Sequence, residues 1–310
     1  MKHVLLYWNH ICVLHRQEQL FLNELKEKLS QEGINLEVRY FGLGYPEHLS
    51  EYLAKDDAIL PDLIVSADLE VFEDPDIYSK LERELYPVRN WLPLKEGLLL
   101  EKVDRSEKLL PFVAIPLVYY TKDPNLAADC PLSEVEDLAF GGINNSAVKT
   151  VVKAVWQQKG KEQAKTLLET SKIADMPIGA YQMVRMNQAK TALVPSLYAL
   201  RADGKTSFLK TPKEGPVLIP SYFCARKSVD ETLARRLAQE ILGETLCSFY
   251  GANGDLVTYP QTKAQPSKQE LNCHNAFCPD ADFLKALDRD EFYDLYCTIL
   301  PTANNWKAKA

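Results

Sequence analysis

The run Gly141-Gly142-Ile143-Asn144-Asn145-Ser146-Ala147 carries the clearest chemistry in the chain. Two glycines allow close backbone approach, and Asn or Ser caps the helix that follows. The first turn of that helix offers unpaired N–H groups and the positive end of the helix dipole, which together receive an anion. Asn144, Asn145 and Ser146 are therefore candidate ligand contacts; the plainer reading is that Asn145 or Ser146 only caps its own helix. Asn9 and His10 follow the first apolar run, and Ser66 and Asp68 follow the third, at strand ends where open α/β sheets hold their ligands. A polar loop or an internal ion pair would explain the same four residues without a ligand. Ala180-Tyr181-Gln182 opens a helix after Pro177 and Gly179, so Tyr181 is placed to stack on a ligand, and Ser196 ends a strand at Pro195-Ser196. Tyr119 and Tyr222 lie just beyond Pro116 and Pro220; packing competes with ligand contact at both, and Tyr222 is counted with the site.

Cys12 stands close to His10 and His15, the arrangement of a thiolate–imidazole pair. It is the basis of an alternative reading, a cysteine-nucleophile enzyme, for which no acid partner can be named. Seven cysteines, none at a two-residue spacing, argue for a reducing setting over a disulfide framework. Cys273-His274 with Cys278 is the one local metal-like cluster, and it lacks a fourth ligand, so no metal and no cofactor are expected. There is no P-loop, GxSxG elbow, HExxH or Rossmann glycine fingerprint.

The elements that position these residues follow from composition and period. The chain has 310 residues, 46% hydrophobic, enough for two domains with buried cores. Its 36 basic and 43 acidic side chains give a net charge of −7, which disfavours nucleic acid as a partner. No apolar run approaches the ~20 residues of a membrane helix. Met1-Lys2-His3 runs straight into Val4–Trp8 without the pattern of a secretory leader. The expected location is cytoplasmic as written, and extracytoplasmic if a leader has been removed.

Strands are expected at Val4–Trp8, at Ile34–Phe41 by alternation, and at Leu60–Val65. Between them lie a helix over Arg16–Gln31, with Leu20, Leu22, Leu25 and Leu29 near helical spacing and Gly33 as its stop, and a short helix over Pro46–Lys55 with proline in its first turn. Phe112–Tyr120 and Val217–Phe223 are apolar runs broken by Pro116 and Pro220, hence edge strands or crossings between domains. Further helices are expected over Ala147–Lys159, Glu162–Thr170, Ala180–Asn187, Val229–Gly243 and Asp282–Thr298, with strands at Leu138–Phe140 and Thr191–Val194. The stretch from Leu256 to Ser267 reads as extended.

This layout resembles the type II periplasmic-binding-protein fold, the solute-receptor component of ABC importers. Three stretches carry the resemblance: Pro61–Asp68, a strand running into small residues; Phe112–Asp123, like a first hinge crossing; and Ile219–Phe223 leading through the helix Val229–Gly243 to Phe249-Tyr250-Gly251. The resemblance implies an α/β fold of two lobes, each a mixed sheet flanked by helices, joined by a two-stranded hinge. Lobe I would comprise 1–115 and 222–310, and lobe II 116–221. It also implies a binding protein, not an enzyme, that closes over a small anionic or metal-associated ligand. Its partners would be that ligand and an ABC permease, and the chain would be a monomer. Within the family the look is nearest to ferric-iron and anion receptors. Their histidine after the first strand is matched by His10. Their adjacent tyrosine pair is not matched: Pro195-Ser196-Leu197-Tyr198 holds one tyrosine, and Tyr119-Tyr120 sit on a crossing strand whose successive side chains face opposite ways.

Overall fold

The computed structural model describes residues 2–9, 14–42, 44–94, 102–127, 130–258 and 275–303. Among them ten strands form one continuous sheet whose main path is β2-β1-β3-β9-β4-β7-β5-β6. β1 (Lys2–Asn9), β2 (Ile34–Phe41) and β3 (Leu63–Ser66) run parallel, and a parallel pair needs a crossover, here the helix His15–Gln31. That helix buries Leu22, Leu25 and Leu29, whereas Leu20 points to solvent at 49% exposure. Spacings of three and four keep the first three on one face, and Leu20 lies roughly half a turn from Leu22. Gly33 then takes the left-handed φ of 78° that ends the helix.

The short second helix starts later than proline placement implied, at Leu49–Ala54. Its cap decides this. The His48 side chain accepts the Glu51 backbone N–H, and the Glu51 carboxylate accepts the His48 N–H at 2.9 Å.

β4 (Leu110–Thr121) and β9 (Val217–Ala225) are the two proline-broken runs, and neither is an edge. They pair with each other, antiparallel, along most of their length. On its far side β4 meets β10 (Leu256–Val257) at Val113–Ala114 and β7 (Thr191–Pro195) from Leu117 onward. β9 meets β3 only from Tyr222. Among the described residues the sheet therefore narrows to two strands where Ile115 pairs with Ile219 and Pro116 with Leu218, and Pro220 sits one rung further on, opposite Ala114. A proline costs no ladder bond where no third strand waits for its N–H.

Beyond this waist lie β5 (Leu138–Gly141) and β6 (Lys172–Ala174), with β7 parallel to β5 and β8 (Phe208–Lys210) against β4. The helix after β5 runs from Ser146 to Lys159 and stops at Gly160, φ 88°. Lys161–Thr170 follows it. The helix expected at Ala180–Asn187 instead starts at Pro177, its N1 residue, and ends at Arg185. After β9 the helix Glu231–Ile241 is capped by Asp230 and buries Leu233, Leu237 and Ile241; Glu244–Ala252 follows. The last helical stretch is two helices, Ala281–Ala286 and Arg289–Ile299, because the Asp288 carboxylate caps the second one.

Two buried polar clusters stand out from an otherwise apolar core. In the first, Lys153 of Ser146–Lys159 reaches Glu70 at 2.9 Å and Glu73 at 2.7 Å on the short helix Glu70–Glu73. Arg289 pairs with Glu70 and with Asp74, the cap of the helix Pro75–Glu82, and the Tyr293 hydroxyl donates to Glu70. Burial alone would raise the Glu70 carboxyl, but Lys153, Lys149, Arg289 and the Tyr293 hydroxyl outweigh it and hold it well below the usual range. In the second cluster, Glu18 accepts from Trp8 Nε1 at 3.3 Å and from the Tyr250 hydroxyl at 2.7 Å. Asp255 is buried nearby with neither carboxylate oxygen hydrogen-bonded.

Candidate functional site

The parallel strands of both halves point their carboxyl ends at one another across a cleft of about 90 Å³. From the first half, Asn9 ends β1, Gly42 follows β2, and Ala67 and Asp68 follow β3. His48 joins them from its cap position. From the second half come Asn144, Asn145 and Ser146 after β5, and Asp175 and Met176 after β6. Open sheets leave their strand-end loops free for ligand contact, and here two such sets face each other.

Local rules hold each contact in place. Gly42 has φ +92°, and the Asn9 amide lies where a side chain on it would stand, 3.1 Å from an added Cβ. Asp68 Oδ2 accepts the Ser50 N–H at 2.9 Å, anchoring the helix Leu49–Ala54, and the Ser66 hydroxyl accepts the Asp68 N–H at 2.9 Å. Asn145 is the N-cap of Ser146–Lys159, its Oδ1 accepting the Ala147 N–H at 2.8 Å. The Ser146 hydroxyl accepts the Leu69 N–H at 2.9 Å, a bond from one half to the other. The glycines before this cap serve two different approaches. At Gly142 (φ +104°) a Cβ would lie 2.3 Å from the Asn145 carboxamide, and at Gly141 one would lie 2.3 Å from the Met176 carbonyl.

Gly141→Ala is therefore expected to push the Asn144–Ser146 loop and the Met176 turn apart. The cost should be about 3 kcal/mol, the upper end of overpacking, because the atoms met are backbone, read as a lower urea midpoint with unchanged m-value. A variant as stable as the parent would show that the two turns are not held in register by this contact.

The cleft is polar and mixed in charge. Asp68, Asp175 and His48 face the positive end of a 14-residue helix, and among the described residues no Lys or Arg lines it. Carboxylates and an imidazole suit a cation, and the helix N-terminus suits an anion. No group of three or more His, Cys, Asp or Glu converges among the described residues.

Of the residues singled out in the sequence, the cleft brings together Asn9, Asp68, Asn144, Asn145 and Ser146. His10 lies outside the described residues, as do Cys12, Cys273 and His274. Ser66 is fully buried and serves Asp68. Tyr181 sits in the helix's second turn, not its first, and packs against Tyr120 at 4.7 Å and Tyr198 at 5.6 Å between ring centroids. The buried Ser196 hydroxyl donates to the Gly254 carbonyl at 2.8 Å. The Tyr222 hydroxyl donates to the Val103 carbonyl at 2.6 Å, beside a second cavity. The cleft adds His48 and Asp175 to the candidates. His48-x-x-Glu51 has the spacing of a capping box, whereas Asp175 follows a three-residue strand too short to show a period.

Three of the described thiols, Cys224, Cys247 and Cys278, are buried. Burial pushes Cys224 and Cys247 up to about 12 and Cys278 up to about 11, so all three stay protonated near neutral pH.

No family model and no curated protein matches the sequence. Solved structures match over nearly the whole chain. Iron-bound HitA from Pseudomonas aeruginosa is similar at TM-score 0.71 and 16% identity, over 96% of this chain and 99% of that one. The ferric binding protein from Campylobacter jejuni is similar at 0.66 and 13%, over 96% and 99%. The periplasmic binding protein AfuA from Actinobacillus pleuropneumoniae, with fructose-6-phosphate bound, is similar at 0.62 and 13%, over 98% and 99%. The chain thus has the two-lobed α/β fold of type II periplasmic binding proteins, with the two-stranded waist lying between its halves.

Proposed function

We propose that this protein is a solute-binding protein that encloses a small ligand in the cleft by closing about the β4–β9 hinge, and that it delivers the ligand to an ABC-type permease. In this reading lobe I is 1–115 with 222–310, and lobe II is 116–221. The observation that carries it is the pairing, across one cleft, of the Asn144–Ser146 helix start with Asp68, Asp175 and His48. A ligand seated there contacts both lobes, so it binds the closed arrangement better than the open one, as a population shift requires. At about 90 Å³ the cleft is far smaller than the 300–1,000 Å³ typical of drug-sized ligands. That size favours an ion, a small oxyanion, or a metal ion with its accompanying anion. HitA and the Campylobacter protein are named for iron and AfuA was solved with a sugar phosphate, which span the same chemistry.

The test is thermal unfolding against inorganic phosphate, sulfate, citrate, ferric nitrilotriacetate, zinc and manganese, each alone and as metal–anion pairs. A ligand of the folded state stabilises by about 2.7 kcal/mol at a hundredfold excess over its Kd. The expected result is a saturable rise in Tm with one anion or metal–anion pair, lost in Asn145→Ala and reduced in His48→Ala. A flat response to the whole panel by a folded protein would overturn the reading.

A further inference from the structure

A second cavity, about 530 Å³, lies outside the cleft, between Glu70–Glu82, the β9 residue Tyr222 and the C-terminal helices. We propose that it is a binding site for a small organic carboxylate with an apolar body, separate from the solute cleft.

Charge accounting points to an anion. The lining carboxylates are already engaged by cations from outside the lining: Glu73 by Lys153 at 2.7 Å and Glu82 by Lys108 at 3.8 Å. The lining cation Arg289 is likewise taken, by Glu70 and Asp74. Arg105 and Lys285 also line the cavity, and among the described residues neither has a carboxylate partner. The Arg105 Nη2 donates to the Cys278 thiol at 2.9 Å. The thiol is neutral, and the carboxylate that acts on this guanidinium, Glu73, is outside ion-pair distance and is already held by Lys153.

A carboxylate accepts at two oxygens and brings negative charge to the Arg105 and Lys285 side of the cavity. The remaining wall is Leu69, Phe72, Leu109, Leu284 and Leu287, which suits an apolar body. The volume falls within the range of organic ligand sites.

The probes are sodium octanoate and sodium 2-naphthoate, with 1-octanol as the uncharged control, titrated into the full chain by calorimetry with thermal unfolding alongside. Saturable binding of at least one carboxylate is expected, with 1-octanol about tenfold weaker or worse; the stronger carboxylate tells whether the body is a flexible chain or a ring. Arg105→Gln should weaken the carboxylate by about tenfold, the worth of a hydrogen bond to a charged group, while leaving 1-octanol unchanged. Leu284→Trp, a partly exposed position that narrows the cavity, should abolish binding in a folded protein. Asp175→Asn, at a residue that lines the cleft and not this cavity, should leave octanoate affinity within about twofold, so the outcome here does not depend on what the cleft holds. No saturable binding of either carboxylate, or equal affinity in Arg105→Gln, would overturn the proposal.

Discussion

Lys153→Met is expected to destabilise the protein by about 3–5 kcal/mol at pH 7, the cost of removing one partner from a buried ion pair. Lys153 is 4% exposed and Glu70 2% exposed, so water cannot replace the lost ammonium. Glu73 loses the cation 2.7 Å away at the same time. Arg289 stays with Glu70, which places the expected loss toward the lower end. The pH dependence has a definite sign. The Glu70 carboxyl is depressed in the folded state, so its contribution is present above the unfolded carboxyl pKa of about 4.3 and is lost as pH falls through the folded value. In the variant that depression shrinks. The stability gap between variant and parent should therefore be largest near neutral pH and close below about pH 4. Adding Glu70→Gln to Lys153→Met should restore part of the loss at pH 7, since it removes the stranded charge. Urea titrations of the parent and the two variants at pH 7 and about pH 3 check all of this, and a single variant within 1 kcal/mol of the parent at pH 7 would refute it.

Asp255→Asn is expected to act in the opposite direction, stabilising the protein by about 1–3 kcal/mol at pH 7 to 8 through removal of an unsatisfied buried charge. Burial, and then the neighbouring Glu18 carboxylate, raise the Asp255 carboxyl well above its ordinary value. A carboxyl raised on folding stabilises the native state most when protonated, and that contribution is lost as pH rises toward the folded value. The gain from Asp255→Asn should accordingly be near zero at pH 4 and grow toward neutrality. Tm profiles of parent and variant from pH 4 to 8 test it. A variant less stable than the parent at pH 7.5 would mean that the charged carboxylate is held by a favourable contact.

The parts of the fold that were legible in the sequence were those with a period long enough to count. Ile34–Phe41 was found with its bounds unchanged because four alternating apolar residues admit one register. Lys172–Ala174 and Phe208–Lys210 have no sequence signal because three residues carry no period, and the strand Leu256–Val257 opens the stretch that reads as extended. Asp74-Pro75 is a helix start by its residue types, a cap followed by proline at N1, but the helix is only eight residues long and its buried Ile77 and Leu81 give a single spacing of four. In the cleft, strand-end position sufficed for Asn9, Asp68 and Asn144–Ser146. Tyr181 depended on where its helix begins, and a three-residue error at Pro177 turns a first-turn side chain into a core aromatic. Tyr222 illustrates another limit: alternation says which face of a strand a residue takes, and nothing in the sequence says that a separate cavity lies against that face.

The narrowing of the sheet around the Ile115–Ile219 and Pro116–Leu218 pairs has a mechanical meaning. A plate notched on both sides flexes at the notch, whatever load is applied to its ends. Here the notch is cut by the absence of flanking strands, and the prolines keep it open because they offer a would-be third strand no donor. None of the described residues lining the cleft lies in β4 or β9. In the solute-binding reading proposed above, cleft residues would then be exchanged without touching the strands that bend, and recognition and movement would be written in separate stretches of the chain.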